Sequence, residues 1–164
     1  MNKILYAFAL AGVLGLSSCS DFLDQTSPSE MTAENTYASP YYTNLRVNKL
    51  YGGMAQDRTY AQDLSIVWNL NSDCELIDGL GSNATNTSSE RGNMNYNMDP
   101  GWSKISGVWD AEYGIIEDAN QIIEGIRSSA TLTAGGANQK SMERSLGEAR
   151  TIRAMVYFDL VRIF

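Results

Sequence analysis

The clearest pattern in the chain is a run of apolar residues that recur at three- and four-residue steps between Trp102 and about Arg127. This spacing places apolar side chains on one side of an α-helix, so the run predicts a long helix with one broad apolar face. Glu112 and Asn120 are polar residues that lie on or beside this face. The apolar positions are Ile105, Val108, Trp109, Ile115, Ile116, Ala119, Ile122, Ile123 and Ile126.

A second apolar stripe begins at Ser141 and continues to the last residue, Phe164. No Gly, Pro or polar cap follows this stripe, although helices commonly end with such residues. We therefore expect its apolar face to need a partner beyond Phe164, in a longer domain of which this chain is the N-terminal part. The stripe consists of Ile152, Met155, Val156, Leu160 and Ile163, and the residues that fall outside it are Arg144, Arg150, Arg153 and Arg162.

Two shorter segments also have helical spacing. One is expected to start at about Pro40 and to stop at Gly52–Gly53, and the other spans Tyr60 to Leu70. The preceding segment, Thr26 to Thr36, has few apolar groups and is predicted to be an extended lead-in. Every element that the pattern predicts is a helix, so the expected fold class is all-α.

Between these helices the periodicity disappears. From Asn71 to Gly101 the chain is rich in Asn, Ser, Thr and Gly, and Ser128 to Gln139 is a second, shorter connector. A loop as long as the first one is usually functional or disordered within a compact domain. We expect its start, Asp73 to Asp78, to be anchored and Ser82 to Glu90 to be mobile.

The N-terminus has the form of a bacterial lipoprotein signal. Lys3 precedes an apolar run, Ile4 to Leu16, that is too short to span a bilayer as a helix. The small residues Ser17 and Ser18 then lead to Cys19, where lipidation would create the mature N-terminus. The alternative is an ordinary signal peptide with a chance cysteine. The predicted organisation is a signal peptide at 1–18, a lipidated tether at 19–39 and a helical domain at 40–164.

Charge and composition exclude several classes of function. Lys and Arg total 12 against 19 Asp and Glu, a formal net charge of −7, which disfavours nucleic acid as a partner. The chain has no histidine, which excludes a Ser-His-Asp triad and histidine-bound zinc within these residues. Only a carboxylate mechanism stays open, with the acid pairs Asp73 with Glu75 or Glu112 with Asp118. Besides Cys19 the only cysteine is Cys74, which we expect to be a buried small hydrophobe.

The segment from Gly147 to Phe164 resembles the signature helix of the RagB/SusD family of nutrient-binding outer-membrane lipoproteins. Two further segments resemble the family: Cys19 to Asp24 is similar to its mature start, and Trp109 through Ala119–Ile123 is similar to its preceding helix. The residues that carry the signature are Glu148, Ala149, Arg150, Arg153, Ala154, Tyr157, Phe158, Leu160 and Phe164.

This resemblance implies tetratricopeptide-like helix pairs interrupted by the long irregular loop, in a protein of several hundred residues. It also implies a lipid-anchored protein on the exterior of the outer membrane that captures glycans, or less often peptides, and passes them to a TonB-dependent transporter. No cofactor or metal is implied. The alternatives are a purely structural interaction protein and, least favoured, a carboxylate glycosidase.

The expected ligand-binding residues lie in and beside the Asn-rich loop. The apolar faces of sugar rings stack on Trp or Tyr, while hydroxyl groups need amide and carboxylate partners. Trp102, beside Pro100–Gly101 at a helix start, is the first choice, although a capping contact is an equal alternative there. Trp109 lies on the apolar stripe and is expected to be core. The predicted set is Trp102, Tyr96, Asn93, Asn95, Asp73 and Glu75.

Overall fold

The computed structural model describes residues 31–70, 72–75, 90–93 and 98–164. All regular elements in these ranges are helices, which confirms the all-α class. Residues Thr32–Phe164 form one compact unit. The elements are α1 (Ala33–Ala38), α2 (Pro40–Met54), α3 (Asp63–Asn69), α4 (Glu90–Asn93), α5 (Ser103–Ser128), a 3₁₀ helix (Ala130–Thr133) and α6 (Gly136–Ile163).

Helix α1 corrects the prediction of an extended lead-in, which placed part of this segment outside regular structure. The Thr32 hydroxyl accepts a hydrogen bond from the backbone N–H of Asn35 at 3.2 Å and caps the helix. Tyr37 is buried in the main core. A segment this short has too few apolar positions to show periodicity, so the cap and the single aromatic anchor were its only signals.

The predicted helix from Pro40 is confirmed as α2. Pro40 occupies the first turn, where a missing N–H costs nothing. After the helix ends, the buried hydroxyl of Thr59 lies within 2.7–2.9 Å of the carbonyl oxygens of Gly53, Met54 and Gln56. These contacts turn the chain from α2 toward α3, which occupies the second half of the predicted Tyr60–Leu70 helix.

The long helix predicted from Trp102 to Arg127 is confirmed as α5. Helix α6 begins at Gly136 rather than at Ser141, because Gly135 and Gly136 adopt positive φ angles of 81° and 70° and turn the chain directly into the helix. Part of the predicted connector is therefore helical, and the 3₁₀ helix occupies much of the remainder.

Helices α5 and α6 run antiparallel. Arg153 Nη1 donates to Asn120 Oδ1 at 2.6 Å, and the rings of Trp109 and Phe164 pack with centroids 4.9 Å apart. Residue numbers therefore fall along α5 as they rise along α6. Helices α5 and α6 thus form an antiparallel pair.

Helix α2 lies against this pair. Lys49 Nζ approaches Asp118 Oδ2 of α5 at 2.7 Å, and Tyr51 donates to Glu148 of α6 at 3.4 Å. The main apolar cluster fills the space between the three helices. It contains Tyr37, Val47, Leu50, Ile115, Ile116, Ala119, Ile122, Ile123, Ile126, Met142, Leu146, Ala149, Ile152, Val156 and Leu160.

A second apolar cluster joins α3 to the first turns of α5. Ile163, near the end of α6, packs against it and is only partly buried. Met155, which was predicted to lie on the buried stripe, is exposed. The members of this second cluster are Leu64, Val67, Leu70, Trp102, Ile105 and Val108. None of the helices in the described ranges has the length and apolarity that membrane crossing requires.

Candidate functional site

Trp102, the first choice for a ligand platform, is buried. Its exposed fraction is 2 %, and its ring belongs to the cluster that α3 makes with α5. Its backbone N–H donates to the Asp99 carbonyl at 2.9 Å. The prediction of an exposed ring was wrong, because the residue just before α5 has extended backbone and its side chain packs beneath the helix, against α3.

Trp109, predicted to be core, is 42 % exposed. Val108 and Glu112 are fully buried, and a step of one residue turns the helix by about 100°. Position 109 therefore lies at the edge of the apolar face rather than at its centre. The burial expected of the two tryptophans is therefore reversed.

The other predicted ligand residues do not form one site in the described part of the chain. The Asn93 side chain is buried, and its Oδ1 accepts from the backbone N–H of Asp99 at 2.7 Å, which ties the loop to the start of α5. Asp73 is exposed and Glu75 is partly buried. Cys74 is exposed, so the prediction that it is buried was wrong. Tyr96, Asn95 and the lipidation site Cys19 lie outside the described residues.

A groove of about 550 Å³ lies on the outer surface of the α5–α6 pair. Aromatic rings and polar groups alternate along it, which is the composition of many small-ligand sites. The lining residues are Trp109, Asp110, Tyr113, Gly114, Ile116, Glu117, Asn120 and Tyr157.

The aromatic rings of this groove support one another. Trp109 and Tyr113 are one helical turn apart, with ring centroids 4.5 Å apart and planes tilted by 41°. The Phe164 ring packs edge-on against Trp109. Trp109 therefore packs against two other rings, those of Tyr113 and Phe164. Tyr157, from α6, contributes a further half-exposed ring.

Polar groups flank the rings. Asp110 and Glu117 are exposed carboxylates of α5, and Asn120 lies about one turn beyond Glu117 and two turns beyond Tyr113. The hydrogen bond from Arg153 to Asn120 Oδ1 fixes the orientation of that amide. The sequence carried one signal of this arrangement, which was the aromatic pair Trp109 and Tyr113 at a four-residue step.

A second groove, of about 430 Å³, lies on the other side of Trp109. It is more apolar than the first and runs toward the end of α6. Trp109 thus forms a wall shared by both grooves. The second groove is lined by Met98, Asp99, Pro100, Ile105, Ser106, Trp109, Ile163 and Phe164.

The core also contains an unusual pair of acids. Glu112 is fully buried, and neither of its carboxylate oxygens has a hydrogen-bond partner among the described residues. Burial, followed by the negative charge of Asp159, raises the pKa of Glu112 from 4.5 to about 7. Tyr60 donates a hydrogen bond to Asp159, which is also buried. Burial, this bond and the nearby carboxylates raise the Tyr60 pKa.

The acid pair Glu112 and Asp118 does not meet in one site. The two residues are six positions apart on α5, so their side chains project in directions about 120° apart around the helix. Glu112 faces the core, while Asp118 forms an ion pair with Lys49 at the surface.

No protein-family model and no solved structure matches the chain. A SusD-like protein of Bacteroides ovatus is 32 % identical over 60 residues, which are 37 % of this chain and 10 % of that protein. The chain is therefore similar, over part of its length, to a small portion of a SusD-like protein.

Proposed function

We propose that this chain is part of a SusD-type nutrient-binding lipoprotein. In this proposal the protein is anchored through Cys19 to the outer membrane, faces the exterior, binds oligosaccharide and passes it to a TonB-dependent transporter. The partial match to a SusD-like protein supports the assignment to this family. The lipoprotein signal motif at Leu16 to Cys19 supports a lipid anchor at Cys19. We propose binding rather than catalysis, since Glu112 is buried in the core while Asp118 is paired with Lys49 at the surface.

The observation that carries the binding proposal is the groove on the α5–α6 pair that aromatic rings line. Trp109, Tyr113 and Tyr157 present ring faces on which the C–H faces of a pyranose can stack. Asp110 and Asn120 offer the acceptor and donor groups that sugar hydroxyls require. We therefore propose Trp109, rather than Trp102, as the aromatic residue on which the ligand stacks.

The charge of the groove narrows the ligand class. Among the described residues that line it, Asp110 and Glu117 are acids and none is cationic, and the guanidinium of Arg153 beside it donates to the lining residue Asn120. Anionic glycans, such as uronates or sulfated sugars, would bring like charges together. We therefore propose neutral or amino sugars as the ligands.

Calorimetry on the full chain with a panel of neutral oligosaccharides tests this proposal. We expect Trp109→Ala to weaken binding several-fold, because a lost aromatic contact costs about 0.5–1.5 kcal/mol beyond the buried area. The matched control is Tyr41→Ala, which removes an exposed ring of α2 outside the groove. Unchanged affinity for Trp109→Ala, or an equal loss for Tyr41→Ala, would contradict the site.

A scaffold function is the second candidate, and one observation favours it. Phe158 and Val161 of α6 are 61 % and 79 % exposed, and Phe164 is also exposed. Contiguous exposed apolar side chains are typical of protein-docking surfaces. If Phe158→Ser and Val161→Ser abolish binding to the co-expressed transporter while oligosaccharide binding is unchanged, the two functions use separate surfaces.

A further inference from the structure

The buried acids lie at the boundary between the two apolar clusters. On α5, Glu112 lies between Val108 of the second cluster and Ile115 of the main cluster. On α6, Asp159 lies between Val156 of the main cluster and Ile163, which packs on the second. Both helices therefore place a carboxyl group at the same boundary.

Tyr60 connects this boundary to the chain segment that holds α3. It lies just before α3, and its ring packs edge-on against Trp68 of that helix, with centroids 6.1 Å apart. Its hydroxyl donates to Asp159. Apart from apolar packing, this hydrogen bond is a direct link between the α3 segment and α6.

The protonation state of Glu112 determines the free-energy cost of burying this carboxyl group beside Asp159. An ionised carboxylate without hydrogen bonds, buried beside a second carboxylate, is strongly disfavoured. A protonated Glu112 carries no charge and gains an O–H donor. Protonation also removes the charge repulsion between Glu112 and the Asp159 carboxylate, which accepts a hydrogen bond from Tyr60.

We propose that Glu112, Asp159 and Tyr60 form a proton-dependent latch, which holds α3 and the second apolar cluster onto α5 and α6 when Glu112 is protonated and loosens it when Glu112 ionises.

Other charged groups on the packed elements are already committed elsewhere. Arg46 and Lys49 of α2 pair with Asp118, and Asp63 of α3 pairs with Lys104. Among the described residues, Arg58 has side-chain carbons that lie against Gly107, and Arg162 of α6 lies over the Trp68 ring.

The direction of the pH effect follows from the raised pKa of Glu112. The latched state binds this proton more tightly than a state in which Glu112 meets water. The stabilisation is complete below the ordinary pKa of 4.5 and is lost as the pH rises through about 7. Tyr60 keeps its proton across this range, since its pKa is raised.

Hydrogen exchange on the full chain, measured from pH 5 to pH 8 and corrected for intrinsic exchange, tests the latch. At pH 8 we expect the amides of Asp63–Asn69 in Glu112→Gln to be protected about tenfold or more above wild type, with little difference at pH 5. Amides in the centre of α5, around Ala119, should change less. The matched control is Glu124→Gln, an exposed acid on the same helix.

Asp159→Asn supplies a second test if Glu112→Gln folds poorly. It removes the neighbouring charge and should also raise α3 protection at pH 8. Tyr60→Phe should lower α3 protection at both pH values, since the link to Asp159 is lost. The latch is contradicted if wild type and Glu112→Gln share one pH dependence, if Glu124→Gln behaves as Glu112→Gln does, or if all helices respond equally.

Discussion

The ring of Tyr37 lies so close to Gly125 that a β-carbon at position 125 would come within 2.2 Å of two ring atoms. This approach docks α1 onto α5. The adjacent Ser129 hydroxyl donates to the Tyr37 carbonyl at 2.6 Å and holds the same contact from the end of α5. Tyr37 and Gly125 are far apart in the sequence, so the requirement for glycine at position 125 comes from tertiary packing.

We expect Gly125→Ala to destabilise the fold by about 1–3 kcal/mol, because the buried Tyr37 ring must move. The matched control is Gly114→Ala on the same helix, where a β-carbon meets nothing within 4 Å. That change should stabilise by roughly 0.5–1 kcal/mol, since alanine is the better helix former. Denaturant unfolding measures both. Equal stabilisation by the two substitutions would mean that Tyr37 does not pack as described.

The two tryptophans should respond in opposite ways to truncation. Trp102→Ala removes a ring from the second apolar cluster and should cost about 3–5 kcal/mol of unfolding free energy. Trp109→Ala should cost much less in stability, because its ring is 42 % exposed, while it weakens oligosaccharide binding. Thermal and denaturant unfolding of both variants check the difference. A larger loss for Trp109→Ala would restore its assignment to the core.

The ion pair between Lys104 and Asp63 should contribute more to the free energy of unfolding than the pair between Lys49 and Asp118. Both have nitrogen–oxygen distances of 2.7 Å, but Lys104 and Asp63 are the more shielded from solvent. A double-mutant cycle should give about 1 kcal/mol for the shielded pair and no more than about 0.5 kcal/mol for the exposed pair. Added salt should reduce the smaller value first. Equal coupling energies would contradict this ranking.

Cys19→Ala should prevent acylation and release the protein from the membrane in a Bacteroidetes host. The acyl chains supply about 0.8 kcal/mol per buried methylene, and nothing in the variant replaces them. Labelled fatty acid and membrane fractionation provide the measurement. Cys74→Ala is the control, because Cys74 is the other thiol and is exposed. If Cys19→Ala kept the labelled fatty acid and Cys74→Ala lost it, the lipid anchor would be at Cys74 instead of Cys19.

The sequence by itself determined the three longest helices, α2, α5 and α6, because helix formation depends on contacts three and four residues apart. The apolar spacing from Ile105 to Ile126 was enough to place α5, and the same rule placed α2 and most of α6. The sequence signals that mark the ends of these helices were weaker. The φ angles of Gly135 and Gly136, which begin α6 before Ser141, are a property of one turn and leave no periodic trace.

Only the tertiary structure decided which side chains are buried at the edges of those helices. Trp102 is covered because α3 packs beneath it, and Trp109 is exposed because it lies beside the buried face of α5 rather than on it. Glu112 occupies a position that periodicity assigns to an apolar side chain, and its surroundings come from α6 and the segment before α3. Periodicity reports the direction of a side chain along its own helix, whereas burial depends on which distant segment packs against it.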